Sequence, residues 1–76
     1  MPVKKCRVNV IWCDESSTWY TDSEDVPGLT LGGDNFDVLV KRYMQAAPEM
    51  LALNGGYTGA LVLTFVAIRT EMLEAV

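Results

Sequence analysis

Five carboxylates form the densest group of reactive side chains in the chain: Asp14 and Glu15, then Asp22, Glu24 and Asp25. Their oxygens are hard donors of the kind that hold magnesium or calcium, which raises a small acidic metal-binding domain, or an enzyme using the Asp22 to Asp25 turn, as one reading. The spacing matches no dedicated ligand loop, because no glycine-centred run of alternating donors passes through it. Val26-Pro27-Gly28 also turns the chain before a strand could line Asp22 and Glu24 along one face. A solvated acidic turn is the preferred expectation, and no residue is assigned to a metal or a cofactor.

Other chemistries are excluded by composition. The chain has no histidine, which removes the Ser–His and Cys–His nucleophile pairs, imidazole acid–base catalysis and the common mixed zinc sites. Cys6 and Cys13 fall in or beside one expected strand. Seven steps of about 3.3 Å separate them by roughly 23 Å, whereas a disulfide spans at most about 7 Å between Cα atoms. Both are expected as free thiols. Trp12, Trp19 and Tyr20 could stack on nucleic-acid bases, but their flanks are acidic, so packing in a core or interface is preferred. Neither Gly32-Gly33 nor Gly55-Gly56 has the lysine or the glycine spacing of a phosphate loop. A net charge of −4 offers no footprint for DNA or an anionic membrane.

The elements that position these groups follow from periodicity. Cys6, Val8, Val10 and Trp12 alternate with Arg7, Asn9 and Ile11, the period-2 pattern of a strand with one face in a core. Asp14 to Ser17 suits a turn, and Thr18-Trp19-Tyr20-Thr21 is β-branched or aromatic, so a hairpin is expected. Leu29-Thr30-Leu31 reads as a short third strand. Gly32-Gly33 ends it, and Asp34 is placed for a helix N-cap, with Asp37 three residues on. Phe36, Leu39, Val40, Tyr43, Met44, Ala47 and Leu51 then recur at helical spacing, opposite a polar face of Asp37, Lys41, Arg42, Gln45 and Glu49. Pro48 predicts a kink or break near Ala47. Asn54-Gly55-Gly56 is a stop signal, and Ala60 to Arg69 has the composition of a long strand. The tail, Thr70 to Val76, could fray or form one helical turn.

These elements give an α+β fold, β-β-β-α-β, in a single domain over residues 1–76. An antiparallel three-strand meander is joined by a last strand beside the first, and one helix covers one face of the four-stranded sheet. Seventy-six residues make a small core, in which burial and ordering nearly cancel. The last strand is apolar on both sides: Leu61, Leu63, Phe65 and Ala67 on one, Val62, Thr64, Val66 and Ile68 on the other. A strand with one wet face would alternate. Val62, Thr64, Val66 and Ile68 are therefore the candidate face for a second copy or a partner, with a homodimer as the expected assembly. The N-terminal segment is too polar for a signal-peptide core and no run is long enough to span a bilayer, so a cytoplasmic protein with no membrane partner is expected.

Particular segments carry a family likeness. Trp12-Cys13-Asp14-Glu15, Trp19-Tyr20, Asp25-Val26-Pro27-Gly28-Leu29, Asp34-Asn35-Phe36-Asp37-Val38-Leu39, and Pro48-Glu49-Met50-Leu51 with Leu53-Asn54-Gly55 resemble the short bacterial HicB-like domains. The likeness runs from Val3 to about Gly55. HicB proteins are antitoxins whose N-terminal domain, built like a truncated ribonuclease H, blocks the HicA toxin, a small ribonuclease acting on messenger RNA. The resemblance implies a partner-binding scaffold without catalysis, antitoxin-like and aimed at a small basic toxin protein. HicB antitoxins usually add a C-terminal DNA-binding module. This sequence is too short to hold one, so no DNA binding by this chain alone is expected.

Overall fold

The computed structural model describes residues 3–73. Its elements are β1 (Val3–Cys13), β2 (Thr18–Asp22), β3 (Gly32–Gly33), α1 (Phe36–Gly55) and β4 (Ala60–Ile68), an α+β fold in the expected order. The sheet order is β3-β2-β1-β4. β1 pairs antiparallel with β2, Trp12 opposite Trp19 and Asn9 opposite Asp22, and β2 pairs antiparallel with β3. β4 runs parallel to β1, from Val3 opposite Ala60 to Ile11 opposite Ile68. The helix between β3 and β4 supplies the crossover that a parallel neighbour requires.

The core lies between α1 and one face of the sheet. Cys6, Val8 and Val10 of β1 are buried there with Leu39, Tyr43, Ala47 and Leu51 of α1, and Val26 and Leu29 close it from the loop. The helical contributions fall at strict four-residue steps, one stripe of a helix. Met44, expected on this stripe, is instead 55% exposed.

Three further local expectations are corrected. Leu29-Thr30-Leu31 is not a strand: the third strand is Gly32–Gly33. Thr21 N–H donates to the Leu31 carbonyl at 2.9 Å, but Leu31 N–H donates to the Thr21 hydroxyl at 2.9 Å. A side chain has taken the place of a backbone partner, and the ladder is interrupted there. The N-cap is Asn35 rather than Asp34, with extended backbone and Oδ1 accepting from Val38 N–H at 3.0 Å.

Pro48 does not break α1, which runs on to Gly55. The carbonyl left without its usual donor is that of Met44, on the same solvent-facing side as Pro48. Water can satisfy it there, while Ala47 and Leu51 hold the helix to the sheet on either side of the proline. The helix stops as expected. Gly56 adopts φ 68°, the left-handed region, and its N–H and that of Tyr57 close back on the carbonyls of Ala52 and Leu51. Residues 69–73 carry no regular secondary structure; the rest of the tail, 74–76, lies outside the described residues.

Candidate functional site

With α1 on one face, the other face of the sheet has no covering element among the described residues, and strand register sorts its side chains into rows. Ile68, Ile11 and Tyr20 lie side by side at one end. Val66, Asn9 and Asp22 form the next row, Thr64 and Arg7 the third, Val62 and Lys5 the fourth, and Ala60 and Val3 the last. The expected face residues Val62, Thr64, Val66 and Ile68 thus form one column on β4, at the sheet edge. Val62 is 48% exposed, Tyr20 41% and Ile68 38%. Beside this column lies a hollow of about 410 Å³ lined by Lys5, Cys6, Arg7, Asp25, Thr64 and Val66.

The acidic turn borders the same face with a structural task of its own. β2 ends at Asp22, so the β1 edge beyond Asn9 loses its strand partner. The Ser23 hydroxyl donates to the Arg7 carbonyl at 2.6 Å, and Asp25 Oδ2 accepts from Arg7 N–H at 2.8 Å. Two short side chains therefore replace a missing strand residue, while Val26 beneath them is fully buried. Sequence reasoning missed this clamp, although a serine and an aspartate two residues apart just before Pro27 are the residue types that bond to nearby backbone.

Arg7, Asn9, Asp22, Glu24 and Asp25 surround a second hollow of about 170 Å³. Asn9 Oδ1 is buried and lacks a hydrogen-bond partner among the described residues. No group of three or more histidine, cysteine or acidic side chains is gathered closely enough to hold a metal ion among the described residues.

The remaining candidates are dispersed. Cys6 is buried on the covered face and Cys13 partly exposed on the open one, and both are free thiols. Burial, helped by the nearby Asp25 charge, raises the Cys6 thiol above its ordinary pKa. Hydrogen bonds from Ser16 lower that of Cys13. The tryptophans pack rather than present themselves. Trp12 meets Trp19 edge-to-face at 5.2 Å, and Trp19 meets Phe36 at 5.3 Å. Arg69 lies 4.4 Å from the Trp12 ring centre and is held by Glu71 at 2.7 Å. This cation–π contact at the exit of β4 carries no sequence signal, because it depends on parallel pairing. Of the three tyrosines, Tyr20 lies on the open face, Tyr43 is buried between α1 and the sheet with its ring 5.8 Å from Phe65, and the Tyr57 hydroxyl donates to the Ala60 carbonyl at 2.7 Å.

The fold and the open face together define a small α+β module with one helix on one side of its sheet. Residues 5–75 match the family described as "Domain of unknown function (DUF1902)", and the chain belongs to that family. Among solved structures it is similar to a hypothetical protein, TTHA1013, from the extremely thermophilic bacterium Thermus thermophilus. The identity is 27%, the TM-score 0.78, and the match covers 92% of this chain and all of the other. No curated protein sequence matches it. No described helix is long and apolar enough to cross a membrane.

Proposed function

We propose that this chain is a non-catalytic protein-interaction domain that self-associates and binds a small basic protein, in the manner of the HicB-like antitoxins its sequence resembles, and that it works in the cytoplasm. One observation carries the reading: a four-stranded sheet with a helix on one side only, whose other side bears an apolar column at the β4 edge and an acidic margin at the β2 end. The apolar column, Val62, Val66 and Ile68 around Thr64, suits a second copy of the chain. The acidic margin suits a cationic partner. Asp22, Glu24 and Asp25 border a hollow beside a buried amide oxygen on Asn9 that lacks a donor among the described residues, and an arginine or lysine from a basic protein supplies both the charge and the missing N–H. The net charge of −4 accelerates encounter with such a partner.

The test is functional rescue. The gene beside this one is expressed alone and together with this chain in a growth assay. The reading expects a small basic ribonuclease whose toxicity is suppressed by the native chain and restored by Asp22→Lys with Glu24→Lys, two positions outside the core. Failure of the native chain to suppress a confirmed toxin would overturn it.

A further inference from the structure

β4 is an outer strand of the sheet, and its nine residues, ALVLTFVAI, contain no charge, proline or glycine. Edge strands in soluble proteins are ordinarily guarded by a charge, a proline or a bulge, or are very short, because unpaired N–H and C=O groups recruit further strands. The opposite edge of this sheet is protected by length, since β3 has only two residues. Among the described residues, the Tyr57 hydroxyl donates to the Ala60 carbonyl at the start of β4 at 2.7 Å, and no backbone–backbone hydrogen bond joins the outer side of the strand to another segment.

Exposure along β4 separates an edge contact from a face contact. Val62 and Ile68 on the open face are exposed, yet Leu61, Leu63 and Phe65, on the side facing α1, are also only partly buried. On neighbouring β1, Cys6, Val8 and Val10 are at most 3% exposed. The helix shields the centre of the sheet and leaves β4 uncovered on both sides. A partner stacked on the open face covers Val62, Thr64, Val66 and Ile68 and leaves Leu61, Leu63 and Phe65 wet. A partner added along the edge covers both sets.

The sequence identifies the occupant. A twofold interface must be complementary to itself, and in an antiparallel pair of β4 strands centred on Thr64 every cross-strand pair except Thr64 with its own copy joins two apolar residues. Leu63 and Phe65 flank Thr64, Val62 and Val66 follow, then Leu61 and Ala67, then Ala60 and Ile68. We infer that a second copy of this chain pairs antiparallel along the outer edge of β4, with the twofold axis at Thr64, giving a continuous eight-stranded sheet in the order β3-β2-β1-β4-β4-β1-β2-β3. Both helices then lie on one side, and the open faces merge into one surface carrying an acidic margin at each end. This inference rests on the self-association proposed above and adds its edge, direction and register. Nine residues at about 3.3 Å give some 30 Å of edge, and a sheet about 10 Å thick then buries roughly 300 Å² per partner. That is below a standard interface, so the dimer is a weak one, with Kd on the order of 10 µM.

The test is disulfide trapping in a Cys13→Ser background, where the remaining Cys6 is buried. Under mild oxidation Thr64→Cys gives a covalent dimer. Val62→Cys mixed with Val66→Cys does the same, whereas Val62→Cys alone, whose thiols sit about 13 Å apart in this register, does not. Thr64→Lys, placing two cations at the axis, raises the dimer Kd at least tenfold while circular dichroism keeps the native fold. A dimer in sedimentation without the Thr64 crosslink, or with ready Val62 self-crosslinking, overturns the register and edge but leaves self-association standing. A protein monomeric at all concentrations overturns both.

Discussion

Tyr43→Phe should make this protein more stable. The Tyr43 ring is fully buried between α1 and the sheet, and its hydroxyl lacks a hydrogen-bond partner among the described residues. A buried polar atom left without a partner costs about 1–3 kcal/mol of desolvation that nothing returns. Phenylalanine removes that cost and keeps the edge-to-face contact with Phe65. The oxygen-sized void it leaves, at about 24 cal/mol per Å³, costs only a few tenths of a kcal/mol. The net expectation is about 1 kcal/mol of stabilisation, which for a domain of this size raises Tm by about 4–8 °C. Urea unfolding followed by Trp12 and Trp19 fluorescence should show a higher midpoint with an unchanged slope.

The same residue predicts an alkaline signature. Burial raises the Tyr43 pKa, and the nearby charges of Cys6, Asp22 and Asp25 reinforce the rise. A raised phenol leaves stability intact below the unfolded tyrosine value, near 10. Above that the unfolded chain releases its proton first, so stability falls as pH climbs towards the raised folded value. Tyr43→Phe should flatten that fall. Loss of about 1 kcal/mol on Tyr43→Phe would mean instead that the hydroxyl is bonded, with Ser23 as its partner.

Three further perturbations probe how the elements are fixed. Asn35→Ala should cost about 1 kcal/mol by removing the cap on Val38 N–H, whereas Asp34→Ala should cost far less; equal effects in thermal melts would contradict the cap assignment. Gly56→Ala should cost about 1 kcal/mol from backbone strain alone, since φ is 68° and nothing crowds a Cβ there; an unchanged Tm would count against the left-handed stop. Asp25→Ala should lower stability by about 0.5–1.5 kcal/mol and speed hydrogen exchange at the Arg7 amide, its partner at 2.8 Å; continued protection of that amide would dismiss the clamp.

The α+β order and the identity of the core were legible because they rest on periodicity. Cys6, Val8 and Val10 at two-residue steps, and Leu39, Tyr43, Ala47 and Leu51 at four, can each satisfy only one element type. What was not legible depended on choices between near-equal local partners. Asp34 and Asn35 are both good caps by residue type, and the helix starts at Phe36, which makes Asn35 the cap. Leu29 to Leu31 has strand composition, but the Thr21 hydroxyl intercepts the Leu31 amide. Pro48 is tolerated because its orphaned carbonyl faces water, a matter of helix phase against the sheet. For the candidate face, alternation placed Val62, Thr64, Val66 and Ile68 together. Their neighbours Lys5, Arg7 and Asn9 emerged only from the parallel register with β1, and the partial exposure of Leu61, Leu63 and Phe65 only from where the helix lies.

Whether the uncovered β4 side of this sheet is an interface is decided by sedimentation equilibrium of the native chain from about 1 to about 100 µM, since a weak edge contact is half-formed within that range. The mass should rise with concentration from monomer towards dimer, and return to monomer with Thr64→Lys. A mass fixed at the monomer value throughout would contradict an interface there.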